Sequence, residues 1–219
     1  MKIPQAILFD LNGTMIDDMH FHLDVWHSVV NQLGAQLSRE QVKLQMYGTN
    51  PEFLGRIFGV NHFTPEQVEA ITVEKEREYQ KVYKPHLRLI NGLPQFLERA
   101  QKNNIKMGIG SAAPPVNVDF ALDNLNIRQI FGAVVSAAGV QKSKPDPEVF
   151  LKVSLQLGVA PENCVVFEDA PKGVEAARNA GMKAVAITTI HETEDFKQYT
   201  NVLFSIKDYT DPRLTNLNP

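Results

Sequence analysis

Residues 6–14 read AILFDLNGT. The first four are apolar and predict a buried β-strand, which ends at Asp10 and continues into the turn-forming residues Asn12 and Gly13. In open α/β sheets ligands bind outside the carboxyl ends of the strands, so Asp10 is expected at the mouth of a site. An ordinary turn uses the same residue types, because Asx and Gly are common in turns. Whether Asp10 belongs to a site or to an ordinary turn depends on whether later strands also end in polar groups.

Length and composition limit the classes of function. The chain has 219 residues, enough for one large domain or for a main domain with a smaller insertion, and its 43% hydrophobic residues allow a sizeable core. Its formal net charge is −3. The lack of a basic excess gives no support for nucleic-acid or membrane partners. Cys164 is the single cysteine and lies in an apolar run, so we expect a small buried hydrophobe. Without a long apolar N-terminal segment or an 18-residue apolar stretch, the expected location is cytoplasmic.

Residues 17–84 carry helical patterns and no strand pattern. Apolar residues at helical spacing predict several helices. The charged run 74–78 predicts a solvent-exposed helix face stabilised by pairs of opposite charge. The residues that predict helix ends are Gly34 as a stop, Ser38 with Gln41 as a capping box, Asn50-Pro51 as an N-cap and first residue, and Thr64-Pro65 with Gln67 as a second box.

From residue 85 onward, strand patterns alternate with helix patterns of about ten residues, which predicts right-handed crossovers and a parallel sheet covered on both faces. The fold class is therefore α/β, with a doubly wound parallel sheet. The Rossmann-like core comprises residues 1–16 and 85–219, and an inserted α-helical cap domain comprises residues 17–84. Strands are predicted at 6–9, 105–109, 133–136, 164–167, 184–187 and 202–204.

Four polar clusters follow apolar runs in the predicted core, and a parallel sheet gathers them at its carboxyl edge. Facing carboxylates repel one another unless a cation lies between them, and hard oxygen ligands suit Mg²⁺. A lysine and a hydroxyl nearby suit a phosphate, and a carboxylate can attack phosphorus to form an aspartyl-phosphate. The clusters are Asp10 with Asn12, Ser111, Lys144, and Glu168 with Asp169.

Over nearly its full length the chain resembles the haloacid dehalogenase-like hydrolase superfamily. Residues 9–14, FDLNGT, resemble the family's first motif, in which an aspartate nucleophile is followed two residues later by an aspartate acid/base. Ser111 matches the second motif, Lys144 the third, and Glu168-Asp169 the fourth. The inserted segment is similar to the helical cap of the β-phosphoglucomutase and sugar-phosphatase branch.

The resemblance implies a role for each matching residue. Asp10 becomes the nucleophile and a Mg²⁺ ligand, Asp169 the second protein ligand, and Glu168 a ligand or a support beside it. The main-chain carbonyl of Asn12 completes the metal ligands, whatever its side chain. Ser111 and Lys144 hold the transferring phosphoryl group, and the charge of Lys144 keeps Asp10 ionised. The implied partner is a small phosphorylated metabolite, bound by a monomer or weak dimer.

A second group of residues is expected to contact the substrate. The loop of residues 46–51 in the cap supplies leaving-group contacts. Arg56 either reaches in from the next helical turns or is an exposed helix arginine. His22 stands where the phosphomutase branch has a cap-hinge histidine, with a surface histidine as the alternative. The predicted substrate-binding residues are His22, Tyr47, Gly48, Thr49, Arg56 and Ala112, the last directly after Ser111.

Asn12 departs from the family pattern. A phosphatase needs a general acid for the leaving oxygen and a general base for water, and an amide exchanges no proton at useful pH. Asn12 marks either a natural protein with altered chemistry or a substitution introduced to trap a ligand, and in both cases we expect little or no turnover. The mutase's cap lysine and arginine are replaced by Tyr47 and Pro51. Hydrolysis is therefore the leading interpretation, with a phosphomutase or a catalytically silent phosphometabolite-binding protein as alternatives.

Overall fold

The structure is a computed structural model that describes residues 3–217. The described chain divides into two compact units. The first unit runs to Asp17 and resumes at Arg88, and the second comprises Asp18–Leu87. The chain therefore leaves the first unit soon after its first strand and returns to it about seventy residues later.

The second unit is helical. Ser38 and Gln41 form the predicted capping box, with the Gln41 N–H donating to the Ser38 hydroxyl and the Ser38 N–H donating to the Gln41 side chain. Apolar side chains from the helices form one buried cluster that includes Trp26 and Phe53. The helices are α1 (Met19–Gln32), α2 (Arg39–Gln45), α3 (Asn50–Phe58) and α4 (Pro65–Tyr83).

The first unit is built on a six-stranded sheet in which every neighbouring pair of strands is parallel. The strand order is β3-β2-β1-β4-β5-β6, so the first strand lies in the middle and pairs with β2 on one side and β4 on the other. The strands are β1 (Ala6–Phe9), β2 (Lys106–Gly110), β3 (Ala133–Val135), β4 (Cys164–Glu168), β5 (Lys183–Ile187) and β6 (Val202–Ile206).

Helices connect the first five strands, and a buried apolar cluster joins α7 (Glu148–Leu157) and α8 (Pro171–Asn179) to the sheet. Phe150 of α7 and Val166 of β4 are both fully buried within it. Cys164 is 1% exposed, as predicted for a small buried hydrophobe. The helices are α5 (Leu93–Lys102), α6 (Pro115–Asn124), α7 (Glu148–Leu157) and α8 (Pro171–Asn179). The predicted α/β class with a doubly wound parallel sheet is confirmed. Among residues 3–217, no helix combines the length and apolar character needed to cross a membrane.

Two predictions for the second unit are wrong: the N-cap of α3 and the solvent-exposed face of residues 74–78. The N-cap of α3 is Thr49 instead of Asn50, because the Glu52 carboxylate accepts from the Thr49 N–H at 2.6 Å. The Asn50 side chain instead donates to Glu76 at 2.8 Å.

The charged run 74–78 is not a uniformly solvated face. Lys75 and Glu76 are only 1% and 2% exposed, whereas the side chains of Glu74 and Arg77 lie in solvent. The two buried charges are only 2.9 Å apart, and this pairing lets them lie inside the unit.

Candidate active site

Polar residues follow the carboxyl ends of three adjacent strands. Asp10 directly follows β1, Ser111 directly follows β2, and Glu168 ends β4 with Asp169 after it. Because β1 pairs in parallel with both β2 and β4, these ends lie along one edge of the sheet. The Asp10 N–H donates to the Phe167 carbonyl at 3.0 Å, which continues the sheet pairing to the site itself.

Lys144 joins two of these carboxylates. Its ammonium Nζ lies 2.6 Å from Asp10 Oδ1 and 2.5 Å from Glu168 Oε1, and its side chain is 9% exposed. Burial alone lowers the pKa of a lysine, but the charges of Asp10 and Glu168 outweigh it and raise the pKa of Lys144 above its ordinary value. Lys144 is therefore a fixed cation between two strand ends.

The loop that carries Lys144 is held from two sides. The Glu148 carboxylate accepts from the N–H groups of Gln141 and Lys142 at 2.7 and 3.1 Å. The Asn179 side chain donates to the Pro145 carbonyl at 3.0 Å. These bonds hold the backbone on both sides of Lys144.

Both carboxylate oxygens of Glu168 are engaged. Oε1 contacts Lys144, and Oε2 accepts from the Ala170 N–H at 3.1 Å. A Cβ added at Gly173 of α8 would lie 1.9 Å from this carboxylate, so the position requires glycine for packing reasons. This arrangement favours Glu168 as a support beside the site over Glu168 as a metal ligand.

Asp169 is 4% exposed and lies near the other two carboxylates. The Thr14 hydroxyl donates to its Oδ1 at 3.3 Å. Burial, followed by the charges of Glu168 and Asp10, raises the pKa of Asp169 well above its ordinary value. A cation beside Asp169 would stabilise its ionised form.

The donor set suits Mg²⁺. No group of three or more His, Cys, Asp and Glu residues within 3–217 is arranged as a metal site. Mg²⁺ is usually held by only one or two carboxylates together with waters and substrate phosphate oxygens. Asp10 and Asp169, with the main-chain carbonyl of Asn12, offer such a set of hard oxygen donors. The residues present therefore fit the ion.

The turn after β1 is tightly bonded. The Leu11 carbonyl accepts from the N–H of Met15 at 2.8 Å, and Gly13 has a φ of +71°, which favours glycine. The Thr189 hydroxyl donates to the Gly13 carbonyl at 2.7 Å, and the Tyr209 hydroxyl donates to the Thr14 carbonyl at 3.1 Å. Sequence reasoning missed Thr14, Thr189 and Tyr209. Thr14 stands in the recognised first motif, but nothing in the sequence pattern marks the other two.

Ser111 is 1% exposed and begins the loop between β2 and α6. Its Oγ accepts from the Ala113 N–H at 3.1 Å, which shapes the loop around Ala112. The Ser111 N–H donates to the Val135 carbonyl at 2.9 Å. The proposed phosphate contacts of Ser111 and Ala112 remain a prediction.

The remaining predicted residues lie in the second unit. Arg56 Nη2 donates to the carbonyls of Gln45, at 2.6 Å, and Tyr47, and its guanidinium carbon lies 3.7 Å from the centroid of the Tyr47 ring. Arg56 thus holds the loop before α3 together. Gly48 has a φ of +75°, and Thr49 caps α3. Substrate contacts from these residues remain a prediction.

His22 is buried, so the alternative of a surface histidine is wrong. Its exposed fraction is 8%, and its ring stacks on Tyr79 at a centroid distance of 3.7 Å. His22 Nδ1 lies 2.6 Å from Lys75 Nζ, and Nε2 lies 3.4 Å from Asp18. Burial, together with the charge of Lys75, lowers the pKa of His22.

The same buried cluster contains further polar groups that sequence reasoning missed. The Tyr79 hydroxyl donates to Asp18 at 2.5 Å, and Glu76 accepts from both Lys75 and Asn50. Asp18 and His22 are four residues apart, as are Lys75 and Tyr79, so helical spacing places the members of each pair beside one another. Only the folded chain shows that the two pairs meet.

Comparisons with known proteins agree on one family. A family model described as haloacid dehalogenase-like hydrolase matches residues 7–187. The chain is 28% identical over 215 residues to validoxylamine A 7'-phosphate phosphatase of Streptomyces hygroscopicus subsp. limoneus, covering 98% of this chain and 99% of that protein. It is 30% identical over 189 residues to β-phosphoglucomutase of Bacillus subtilis, covering 84% and 83% of the two chains. A solved structure of a family IA, variant 3 hydrolase from Entamoeba histolytica is similar with a TM-score of 0.87 and 26% identity, covering 97% of this chain and 96% of that one.

Proposed function

The chain belongs to the haloacid dehalogenase-like hydrolases, and we propose that it is a Mg²⁺-dependent phosphohydrolase of small phosphorylated metabolites, with sugar phosphates as the substrate class. The single observation that carries this proposal is the contact of Lys144 with both Asp10 and Glu168 at the ends of adjacent parallel strands. A buried cation beside two carboxylates suits the recognition of a phosphate whose oxygens carry negative charge.

Asp10 acts as the nucleophile in this proposal. The positive charge of Lys144 keeps the Asp10 carboxyl ionised, and the ionised oxygen attacks phosphorus. The bond from phosphorus to the leaving oxygen breaks as the bond to the Asp10 oxygen forms. Water then attacks the aspartyl-phosphate, which releases inorganic phosphate and restores the Asp10 carboxylate.

Asp10, Asp169 and the main-chain carbonyl of Asn12 are the groups that would hold Mg²⁺. When bound, the ion supplies positive charge that stabilises the phosphoryl oxygens during transfer. Lys144 contributes a second positive charge from the protein itself, and Ser111 is proposed to donate a hydrogen bond to the same group.

The Asn12 side chain limits the rate in this proposal. The leaving oxygen must gain a proton and the attacking water must lose one, and an amide side chain can do neither. General acid–base catalysis contributes about 10²–10⁴-fold to such reactions. We therefore expect this chain to bind metal and phosphate while turning substrate over slowly or not at all.

Two relatives support sugar phosphates as the substrate class: one is a validoxylamine A 7'-phosphate phosphatase and the other a β-phosphoglucomutase. Residues 17–84 are proposed to act as the cap, with Tyr47, Gly48, Thr49 and Arg56 near the leaving group. We also propose a cytoplasmic location and a monomer or weak dimer; the free, buried Cys164 fits a reducing compartment.

Two alternatives each have one supporting observation. The 30% identity to a β-phosphoglucomutase favours a phosphomutase. Against it, Tyr47 and Pro51 replace the cations that would hold a second phosphate, and Arg56 already donates to the loop carbonyls of Gln45 and Tyr47. Asn12 favours a catalytically silent protein that binds a phosphorylated metabolite.

Phosphate release from a panel of phosphorylated metabolites with Mg²⁺ tests the proposal. The comparison is between this chain and its Asn12→Asp variant, and we expect the variant to be faster by about 10²–10⁴-fold. The control adds Asp10→Asn to Asn12→Asp, which should abolish turnover. Equal rates for the two proteins would contradict the role of Asn12. Ligand binding by both proteins with turnover by neither would favour the silent binding protein, and an isomerised phosphate product would favour the mutase.

A further inference from the structure

Two hydroxyl groups from late in the chain bind the turn that follows β1. We propose that Thr189 and Tyr209 are positioning residues for Mg²⁺ binding, because they fix the two main-chain carbonyls that directly follow Asn12. Thr189 Oγ1 donates to the Gly13 carbonyl at 2.7 Å, and Tyr209 Oη donates to the Thr14 carbonyl at 3.1 Å. The inference rests on the proposed function, since it concerns the carbonyl of Asn12 as a ligand.

The two peptide groups that flank the Asn12–Gly13 peptide are both hydrogen-bonded. The Leu11 carbonyl, on the preceding side, accepts from the N–H groups of Met15 and Ile16 at 2.8 and 3.3 Å. The Gly13 carbonyl, on the following side, accepts from Thr189. The Asn12 carbonyl lies in the planar Asn12–Gly13 peptide, so its direction depends on how the two neighbouring peptide groups hold that plane. Losing the Thr189 hydroxyl removes one of the bonds that hold this direction.

Tyr209 also supports the carboxylates themselves. Its ring stacks on Phe167 at a centroid distance of 5.4 Å and packs at 6.4 Å from Phe9. These two phenylalanines are paired residues of β4 and β1, directly before Glu168 and Asp10. Tyr209 thus packs beneath both strand ends of the site.

A second connection leads from Tyr209 to the other carboxylate ligand. Tyr209 bonds the carbonyl of Thr14, and the hydroxyl of Thr14 donates to Asp169 Oδ1 at 3.3 Å. Moving the Thr14 backbone therefore moves the hydrogen-bond donor of Asp169. Through Gly13 and Thr14, the two hydroxyls act on both the Asn12 carbonyl and Asp169.

The position of Tyr209 is well defined. Its side chain is 3% exposed, and its N–H donates to the Asn91 carbonyl at 2.9 Å. Gly92 allows this close approach, because a Cβ at that position would lie 2.6 Å from the Tyr209 carbonyl carbon. The Tyr209 hydroxyl keeps its proton at neutral pH and stays a donor, since the ordinary pKa of tyrosine is about 10 and burial raises the pKa of Tyr209 further.

Both positioning residues lie outside the part of the chain that the family model matches, which ends at residue 187. Thr189 acts through the Gly13 carbonyl and Tyr209 through the Thr14 carbonyl. Their expected effect is on metal affinity, with little effect on the recognition of the substrate.

The test is isothermal titration calorimetry, in which Mg²⁺ alone is titrated into the full chain. The variants are Tyr209→Phe, which keeps the ring, and Thr189→Val, which keeps the shape of the side chain. Each should weaken Mg²⁺ binding by about threefold to tenfold, as expected for one hydrogen bond. Thr189→Ser keeps the hydroxyl and should restore the affinity. Tyr199→Phe is the matched control, since Tyr199 packs near Arg178 on the surface of the core and should leave Mg²⁺ binding unchanged.

The same variants in the Asn12→Asp protein give a second readout. The Mg²⁺ concentration for half-maximal turnover should rise by a similar factor, while KM for the phosphorylated substrate at saturating Mg²⁺ stays constant. A purely structural role would lower the melting temperature without changing either Mg²⁺ readout, and that result would overturn the inference. So would a Thr189→Ser variant as weak as Thr189→Val, or a parent chain that binds no Mg²⁺.

The two proposals can fail separately. If the Asn12→Asp protein hydrolyses none of the panel, the proposed function fails, and the Mg²⁺ titrations still decide the roles of Thr189 and Tyr209. If it hydrolyses a substrate and the titrations of all variants agree, the function stands and the positioning role fails.

Discussion

The Lys144 ammonium lies 2.6 Å from Asp10 Oδ1, although the two residues are 134 positions apart in the chain. The same nitrogen contacts Glu168 at 2.5 Å, so one cation neutralises part of the charge of two buried carboxylates. Breaking a buried ion pair by removing one partner is costly, because the other charge stays buried without compensation.

Lys144→Met should therefore weaken both binding and folding. We expect the binding of inorganic phosphate to fall by at least about tenfold, since a charge-assisted hydrogen bond is lost. The free energy of unfolding should fall by about 3–5 kcal/mol. Calorimetric titration of phosphate and urea denaturation measure the two effects. Lys142→Met is the control, since Lys142 is exposed two residues earlier, and equal losses in both variants would contradict a specific role for Lys144.

Gly173→Ala should distort the site without removing a functional group. The new Cβ would meet the Glu168 carboxylate at 1.9 Å, so Glu168 must move away from Lys144 and the Ala170 N–H. We expect the free energy of unfolding to fall by about 1–3 kcal/mol, as in overpacked cores. Gly55→Ala is a matched control within α3, where an added Cβ meets nothing within 4 Å. It should be neutral or stabilising by about 0.5–1 kcal/mol, and thermal unfolding of both variants decides the comparison.

His22 should make the stability of the chain depend on pH. Its pKa is lowered in the folded state by burial and by Lys75, so the unfolded chain binds the proton more readily. Neutral His22 contributes to the free energy of unfolding, and this contribution is fully present above the ordinary pKa of about 6.5. It is lost as the pH falls towards the lower pKa of His22 in the folded chain. Within this window the free energy of unfolding should fall by up to about 1.4 kcal/mol per pH unit.

Urea denaturation between pH 7 and pH 5 measures this dependence. His22→Gln should flatten the profile relative to the parent chain, because the titrating group is gone. His62→Gln removes an exposed histidine of the same unit and should leave the slope unchanged. Equal slopes for the parent and His22→Gln would show that His22 carries no such linkage.

Lys75 and Glu76 should show strong coupling. Lys75→Met leaves Glu76 buried without its ion-pair partner and should lower the free energy of unfolding by about 3–5 kcal/mol. Adding Glu76→Gln to Lys75→Met removes the uncompensated charge and should recover part of the loss. Urea denaturation of the two single variants and the double variant measures the coupling. Additive losses in the free energy of unfolding would contradict the coupling. Lys81→Met provides a control, because Lys81 is an exposed lysine of the same helix.

The sequence was informative wherever a local pattern carries the information. Short apolar runs predict the strands and helical spacing of apolar residues predicts helices, and the alternation of the two predicts the parallel sheet. The sequence predicts Asp10, Lys144 and Glu168 at one sheet edge, because a parallel topology brings the carboxyl ends of the strands together. The contact of Lys144 with both carboxylates agrees with that placement.

Contacts between distant segments could not be predicted in the same way. Thr189 and Tyr209 follow β5 and β6 as ordinary polar residues, and their partners lie 176 and 195 positions earlier. Lys75 and Glu76 read as a surface charge run, because helical spacing does not show which face of α4 meets His22 and Asn50. In each case the decisive partner is set by tertiary packing.

The central position of β1 has a consequence for how the protein folds. Its partner β4 begins at Cys164, which pairs with Ala6, so a chain under synthesis carries an incomplete central pairing until most of its length has emerged. Contacts of such large sequence separation form slowly, since a long loop must close before they stabilise the structure. We therefore expect the link from Lys144 to Asp10 and Glu168 to form late in folding, since a nascent chain lacking β4 carries Asp10 without Glu168 and Asp169.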